Sequence, residues 1–270
     1  MIIKSAAIQF NITEGNSDYN MQKAEELIKA AAADKAELIM LPEMWNSGFD
    51  FNHLVDYAQD FNGEVITILR GLARDLGVFL VGGSFAEIKN DKFYNTCPVI
   101  NQEGNVIAKY RKVHLFSHVI KEHLYLSPGN EWVLCEYEKD NENVILGLNI
   151  CYDLRFPEFA RNLALRGARL LTAPAGWPST RIKEYQTLCQ ARAIENRSFL
   201  VTTNYTDTNK TEYCGNSMLI SPFGEIIAKL ENEEGYAIGD IDLSILSDTA
   251  TFNSIADRRS VLDEIDDSQL

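Results

Sequence analysis

The amino-acid sequence predicts an α/β fold of four layers, an αββα sandwich in which two β-sheets pack face to face beneath outer helices. Short apolar runs rich in β-branched residues alternate with amphipathic stretches, once in residues 2–85 and again in residues 144–205. A hairpin separates the two sets, and further strands follow the second. Two sets of strands with interposed helices favour two packed sheets, because each sheet must cover both of its apolar faces.

In the first set, the apolar runs 2–10, 36–43 and 78–85 predict strands. The stretch 19–33 predicts a helix because its apolar residues recur every three or four positions. The stretch 64–77 predicts a second helix, which ends at a glycine.

Residues 93–101 and 104–113 flank a Gln-Glu-Gly-Asn stretch and predict a hairpin, and a loop follows at 114–130. The elements predicted after this loop are strands 144–150, 170–175 and 199–205, helices 157–169 and 182–197, and closing strands 216–222, 225–230 and 236–243.

Length and composition favour one large domain over residues 1–270, with an acidic C-terminal tail from about residue 261. No repeat or low-complexity linker divides the chain. The net charge of −14 argues against nucleic acid or an anionic membrane as a partner. The sequence shows no secretory signal and no apolar run near the about 18 residues of a membrane span, so we expect a cytoplasmic protein.

Five cysteines are present without a CxxC pair, which predicts neither a disulfide framework nor a zinc knuckle. Four of them are interpreted as small buried apolar residues. The fifth, Cys151 in GLNICYDLRFPE, lies where a predicted strand ends and a turn leads into a helix that begins near Pro157. Ligands bind at such strand ends in α/β sheets.

Two other predicted strands also end in a residue that can carry chemistry. Glu43 follows the run LIMLP, and Lys112 ends the second hairpin strand in AKYRKV. A thiol is mostly protonated at neutral pH, so a nucleophilic Cys151 needs a base, for which Glu43 is the candidate, and a cation, for which Lys112 is the candidate. Attack on an amide would form an oxyanion that Lys112 and the Tyr152 N–H can stabilise. Glu43 can then return the proton to the departing ammonia and activate water against the thioester.

LPEMWNSGF, YRKVHLF and NICYDLRFPE, in this order, closely resemble the three catalytic blocks of the nitrilase (carbon-nitrogen hydrolase) superfamily. The resemblance runs from AAIQF near the start to ADRRS near the end. It implies a Glu-Lys-Cys triad at Glu43, Lys112 and Cys151, the nitrilase-like αββα sandwich, no cofactor and a homodimer. It also implies that Glu122, before the LSPG turn, positions or tunes the base and the substrate amide.

The stretch 173–197 resembles bacterial omega-amidases, which implies a small-molecule amide substrate, a dicarboxylic acid monoamide from which ammonia is released. N-carbamoyl-amine hydrolases and deaminated-glutathione amidases share much of the pattern and stay as alternatives. Phe116, Tyr152 and Trp177 flank predicted strand ends and are the candidates for aromatic walls that bind the substrate.

Seven of the twelve arginines fall between residues 155 and 197, and one of them could bind a substrate carboxylate. The alternative is that they lie on solvated helix faces or pair with Glu158, Glu184 and Glu195. Arg155, the nearest to the thiol in sequence, is interpreted as structural.

Other classes of function are also open from the residues. His114, His118 and His123 could be metal ligands, but no HExxH pattern accompanies them and no metal is predicted. His114 could instead act as the base of a Cys-His hydrolase. A non-catalytic binding or regulatory module is a further alternative, in which Cys151 would be inert.

Overall fold

The computed structural model describes residues 1–207 and 213–247, together with Ile255 and Asp257. The predicted acidic tail from about residue 261 lies outside these residues. The strands are β1 (Ile2–Gln9), β2 (Leu38–Met40), β3 (Phe79–Val81), β4 (Phe85–Lys89), β5 (Lys92–Ile100), β6 (Val106–Arg111), β7 (Leu134–Lys139), β8 (Glu142–Leu148), β9 (Leu170–Pro174), β10 (Phe199–Thr203), β11 (Met218–Ile220), β12 (Ile226–Lys229) and β13 (Gly235–Asp242). The helices are α1 (Ser17–Ala33), α2 (Leu54–Tyr57), α3 (Glu64–Leu76), α4 (Pro157–Leu165) and α5 (Ile182–Asn196).

The strands form two sheets among the described residues. The first has the order β13-β1-β2-β3-β5-β4, with β6 paired to β5, and the second has the order β12-β11-β10-β9-β8-β7. β1, β2 and β3 are parallel to one another, and so are β8, β9 and β10. The carboxyl ends of parallel strands meet at one edge of each sheet, and loops at such edges form ligand sites.

The two sheets pack face to face and the helices cover their outer surfaces. Apolar side chains of both sheets share one core, in which the rings of Phe79 on β3 and Tyr137 on β7 lie 5.2 Å apart. A second cluster packs α1 and α3 against the outside of the first sheet. α4 and α5 pack on the second sheet, with Leu163 and Ala193 fully buried. The predicted four-layer αββα sandwich is therefore confirmed.

Two strands, β4 and β7, were not predicted as separate elements. The run 78–85 is broken at Gly82-Gly83, so that β3 ends at Val81 and β4 begins at Phe85. Gly83 has a φ of +61°, and a Cβ there would lie 2.1 Å from the carbonyl oxygen of Pro42. Only glycine allows this close approach, which brings the β3–β4 turn against the segment that carries Glu43. β7 lies in a stretch, 131–143, for which no element is predicted.

No helix within the described residues is long and apolar enough to span a membrane.

Candidate active site

The predicted strand, turn and helix around Cys151 are all present. β8 ends at Leu148, and Cys151 begins a short 3₁₀ helix, Cys151–Arg155, that leads into α4 with Pro157 in its first turn. The φ of Cys151 is +45°, in the left-handed region that non-glycine residues rarely adopt. Such conformations persist where the surroundings hold them, and they concentrate at functional sites.

Glu43 lies three residues beyond the end of β2 and is fully buried. Its Oε1 accepts hydrogen bonds from Asn95 Nδ2 at 2.8 Å and from Lys112 Nζ at 2.7 Å. Its Oε2 accepts one from the Gly176 N–H at 3.0 Å. The hydroxyl of Tyr205 donates to the Glu43 backbone carbonyl. These contacts hold the carboxylate in a single orientation.

Lys112 follows β6 directly, and its side chain is only 1% exposed. Besides Glu43, its Nζ donates to both carboxylate oxygens of Glu122, at 2.8 and 2.9 Å. Glu122 begins a 3₁₀ turn in the loop after β6, and its Oε2 also accepts the Phe116 N–H at 2.7 Å. One ammonium therefore serves two buried carboxylates, which is the pairing that buried charges require.

The three charged groups and the thiol influence one another's protonation. Burial alone would lower the pKa of Lys112, but the carboxylates of Glu122 and Glu43 outweigh it, and the pKa lies above the usual lysine value. Burial raises the pKa of Glu122 to about 7, with Lys112 opposing and Glu43 reinforcing the rise. Burial also raises the pKa of the Cys151 thiol well above its usual range, and Glu43 adds to it through charge and a hydrogen bond, while Lys112 opposes. The thiol is therefore neutral in the free protein.

These groups open into one cavity of about 310 Å³. All seven residues that the sequence singles out for the site lie on its wall, namely Glu43, Lys112, Phe116, Glu122, Cys151, Tyr152 and Trp177. The rings of Phe116 and Tyr152 lie 5.0 Å apart on one side, and Trp177 is held by a hydrogen bond from its Nε1 to the Arg181 carbonyl. Most of the wall is apolar or aromatic, which is typical of pockets for small ligands.

Four further residues complete the site and were not predicted. Asn95 and Gly176 bind the Glu43 carboxylate, Tyr205 binds its backbone, and Phe49 lines the cavity. The sequence does carry a signal for Gly176, since it lies two residues after the apolar strand β9. A Cβ there would lie 2.5 Å from the Phe49 ring. Asn95 lies inside a strand, and its sequence neighbourhood gives no signal.

Most arginines between residues 155 and 197 bind the protein itself. Arg155 pairs with Glu184, Arg192 pairs with Glu195, and Arg161 donates to the Glu195 carbonyl. Arg155 nevertheless lines the cavity, where its guanidinium lies 4.9 Å from the centre of the Trp177 ring. Arg181 also lines the cavity, and among the described residues it has no ion pair comparable to that of Arg155.

The His114 side chain contacts residues outside the cavity wall. Its Nδ1 lies 2.7 Å from Oδ1 of Asp153, and its ring stacks on Phe156 at 3.7 Å between centroids. It is not among the residues that line the cavity. This geometry does not support His114 as the base for Cys151. In the described part of the chain, no group of three or more histidine, cysteine or carboxylate side chains is placed to hold a metal ion.

An acid, an ammonium and a thiol that share one buried cavity at the strand ends of an αββα sandwich define a class of thiol-dependent hydrolases. Residues 4–251 match the family described as Carbon-nitrogen hydrolase. The chain belongs to the carbon-nitrogen hydrolase family.

Individual relatives agree with this assignment. The chain is 38% identical over 239 residues to a 2-oxoglutaramate amidase of Bacillus subtilis (strain 168), covering 88% of this chain and 90% of that protein. It is 36% identical over 250 residues to the omega-amidase NIT2-B of Xenopus laevis, covering 89% of each.

Solved structures show the same fold. The structure of XC1258 from Xanthomonas campestris, a CN-hydrolase superfamily protein with an arsenic adduct in its active site, superimposes with a TM-score of 0.86 at 26% identity over 96% of this chain and 98% of that one. Nit3 of Saccharomyces cerevisiae, from branch 10 of the nitrilase superfamily, gives a TM-score of 0.81 at 26% identity over 93% and 97%.

Proposed function

We propose that this protein is a cysteine-dependent amidase that releases ammonia from the terminal amide of a small dicarboxylic acid monoamide, as omega-amidases do. The observation that carries the proposal is the convergence of Glu43, Lys112 and Cys151 on one cavity. The two relatives named as 2-oxoglutaramate amidase and omega-amidase support the substrate class.

In the first step, the Cys151 sulfur attacks the amide carbonyl carbon. A carbon–sulfur bond forms, the carbonyl electron pair moves to oxygen, and the thiol proton passes to Glu43. Because burial and the two carboxylates keep the thiol neutral, proton transfer accompanies attack rather than preceding it. The oxyanion lies between the Lys112 ammonium and the Tyr152 N–H, which stabilise its charge.

In the second step, the tetrahedral intermediate collapses to a thioester. The carbon–nitrogen bond breaks, and Glu43 returns its proton to the nitrogen, which leaves as ammonia. Water then attacks the thioester while Glu43 accepts a proton from it. The carbon–sulfur bond breaks, Glu43 gives the proton to the sulfur, and the carboxylic acid product departs with Cys151 and Glu43 restored.

Glu122 positions the cation in this mechanism. It holds the Lys112 ammonium through both carboxylate oxygens and is itself fixed by the Phe116 N–H. Three points of attachment, two to Glu122 and one to Glu43, leave little rotational freedom to the Lys112 side chain. A cation fixed before the reaction stabilises a developing oxyanion without a reorganisation cost.

The cavity can accept a substrate with a negative charge remote from its amide. Its volume of about 310 Å³ suits a small acid, and its apolar wall suits a short carbon chain. Arg181 and Arg155 supply positive charge on the same wall. Arginine binds carboxylates through two parallel hydrogen bonds, so Arg181, without the ion pair that Arg155 makes, is the better placed of the two.

The proposal further includes a homodimer in the cytoplasm. Leu165 on α4 and Ile194 on α5 are exposed apolar side chains on the outer helices that a second copy can cover. Light scattering coupled to gel filtration measures the mass in solution, and a monomer at micromolar concentration would contradict this part of the proposal.

Hydrolysis of a panel of compounds tests the function, measured as released ammonia or, for deaminated glutathione, whose amide nitrogen belongs to a peptide, as the freed peptide amine. The panel contains dicarboxylic acid monoamides, neutral amides of the same length, N-carbamoyl compounds, deaminated glutathione and nitriles. We expect the highest kcat/KM for a monoamide that carries a free carboxylate. A preference for an N-carbamoyl compound or for deaminated glutathione would move the protein to one of those activities, and the absence of hydrolysis of every compound would contradict an amidase.

A further inference from the structure

Asp153, two residues after the thiol, is a fully buried carboxylate that accepts four hydrogen bonds. Its Oδ1 accepts the His114 backbone N–H at 3.0 Å and the His114 Nδ1 at 2.7 Å. Its Oδ2 accepts the Tyr110 hydroxyl at 2.6 Å and the Ile150 N–H at 2.9 Å. A carboxylate has no proton to donate, so all four partners donate, and the His114 proton is on Nδ1.

The four donors come from the two segments that carry Lys112 and Cys151. Tyr110 and His114 flank Lys112 at two residues on either side, and Ile150 immediately precedes Cys151. The Tyr110 hydroxyl also accepts the Val113 N–H at 3.2 Å, so the segment around Lys112 has a further link, through Tyr110, to Asp153. Asp153 is therefore the point at which the end of β6, in the first sheet, is fastened to the turn after β8, in the second sheet.

The contact to Ile150 also holds the backbone of the nucleophile. The Asp153 N–H donates to the Ile150 carbonyl at 3.0 Å while its side chain accepts the Ile150 N–H, so both polar groups of Ile150 bind the same residue. This closed turn surrounds Cys151 and maintains its left-handed φ of +45°.

We infer that Asp153 is a positioning residue that sets the placement of Lys112 relative to Cys151, so that the Lys112 ammonium and the Tyr152 N–H converge on one oxyanion. This inference rests on the function proposed above. Asp153 does not line the cavity and touches no substrate, so it acts through the two segments that it joins. A displacement of about 1 Å between reacting groups can cost on the order of 10²-fold in rate.

The arrangement differs from a Cys-His-Asp triad, in which His114 would act on the thiol. The His114 imidazole donates to Asp153 and stacks on Phe156, outside the cavity wall. His114 supplies two of the four hydrogen bonds to Asp153, one from its backbone N–H and one from its imidazole. His114→Ala therefore removes a single bond and lowers kcat partially, whereas the loss of a catalytic base would abolish turnover as Cys151→Ala does.

The main test is Asp153→Asn, which keeps the shape of the side chain. Its amide NH₂ group replaces one carboxylate oxygen and cannot accept the hydrogen bonds that this oxygen accepts. We expect kcat to fall on the order of 10²-fold with KM changed by less than about three-fold. Ile28→Ala is the control for lost stability, because Ile28 is fully buried in α1, in the cluster outside the first sheet. It should lower the Tm while leaving kcat unchanged well below that temperature.

Alkylation of Cys151 by iodoacetamide, followed by mass spectrometry, gives a readout that needs no substrate. We expect the rate constant to fall about ten-fold in Asp153→Asn and to stay at the wild-type value in Ile28→Ala. If the wild type releases no ammonia from any compound, the proposed function fails, while this experiment still decides the role of Asp153.

Tyr110→Phe is the second variant and removes only the hydroxyl that joins Asp153 to β6. It should lower kcat by less than Asp153→Asn does, and its effect should shrink in the Asp153→Asn background, because both changes break the same attachment. It also tests the inference if Asp153→Asn does not fold. A kcat and an alkylation rate within about two-fold of wild type in a folded Asp153→Asn, or in Tyr110→Phe when that is the variant available, would overturn the inference.

Discussion

Lys112 and Glu122 form a buried ion pair joined by two hydrogen bonds, with Nζ 2.8 Å from Oε1 and 2.9 Å from Oε2. The same nitrogen lies 2.7 Å from Oε1 of Glu43. The ammonium thus keeps together two carboxylates whose side chains are fully buried. Its removal affects the fold as well as the chemistry, and the two effects can be separated.

Lys112→Met should lower both activity and stability. The variant leaves Glu43 and Glu122 buried without their cation, which costs about 3–5 kcal/mol when one partner of a buried pair is removed. Loss of the oxyanion donor should lower kcat by roughly 10²–10³-fold. Urea unfolding measures the first effect and ammonia release the second.

A second change separates the two effects. Without Lys112, the Glu122 carboxyl group is buried either as an unpaired charge or only after it takes up a proton, and both cost stability at neutral pH. Adding Glu122→Gln to Lys112→Met removes this cost, so we expect the double variant to regain much of the stability. Activity should stay low, since no ammonium faces the substrate. Recovery of kcat in the double variant would show that Lys112 acts only by stabilising the fold.

The stability of the protein should depend on pH through Glu122. Burial raises the pKa of Glu122 to about 7 from an ordinary value of 4.5, so between these values the folded protein holds a proton that the unfolded chain has released. The contribution of Glu122 to the free energy of unfolding is fully present below pH 4.5 and is lost as the pH rises through 7. Its full size is about 3 kcal/mol.

The difference in unfolding free energy between the wild type and Glu122→Gln isolates this contribution from other titrating groups. Glutamine stays neutral throughout, so the wild type should lose unfolding free energy relative to Glu122→Gln as the pH rises from about 4.5 to about 8. Urea unfolding at several pH values provides the measurement. A difference that does not change with pH would show that Glu122 binds no more protons in the folded protein than in the unfolded chain.

The order of strands and helices allowed the fold and the positions of the main site residues to be predicted. Glu43, Lys112 and Cys151 could be found because each lies within three residues of the end of a strand, and strand ends on one edge meet. The aromatic candidates Phe116 and Tyr152 line the cavity for the same reason. Their catalytic and binding roles remain predictions that the variants described here test.

The residues that escaped prediction act through tertiary contacts. Asn95 lies in the middle of β5, where its amide reaches Glu43 across 52 positions of sequence. Asp153 lies only two residues after the thiol in sequence, but its hydrogen bonds to Tyr110 and His114 depend on how the two sheets pack. A single strand is predicted over residues 78–85 because apolar residues lie on both sides of Gly82 and Gly83, whereas in the structure these glycines separate β3 from β4. Local patterns do not report such contacts.

Arg181→Gln should discriminate between charged and neutral substrates. If Arg181 binds the remote carboxylate, its loss removes a charge-assisted interaction of about 1.5–3 kcal/mol, which raises KM for an anionic monoamide roughly 10–100-fold. KM for a neutral amide of the same length should stay unchanged. Steady-state kinetics with the two compounds measures the effect.

Arg166→Gln is the matched control for Arg181. Arg166 follows α4, where it binds Asn162 and lies over the ring of Trp132 at 4.5 Å, and it is not among the cavity residues. Its replacement removes the same net charge from the protein but should leave both KM values unchanged. Equal effects of Arg181→Gln on the charged and the neutral amide would exclude Arg181 as the carboxylate-binding residue.

Cys151→Ala should abolish ammonia release while preserving the fold, because the side chain is small and alanine places only a Cβ at the same position. Wild-type enzyme quenched with acid during turnover should carry an added acyl group on Cys151 by mass spectrometry, and hydroxylamine should divert part of the product to the hydroxamic acid. Cys97→Ala is the control, since Cys97 is fully buried in the core between the sheets. Ammonia release by Cys151→Ala near the wild-type rate, or equal loss of activity in both variants, would exclude a thioester on Cys151.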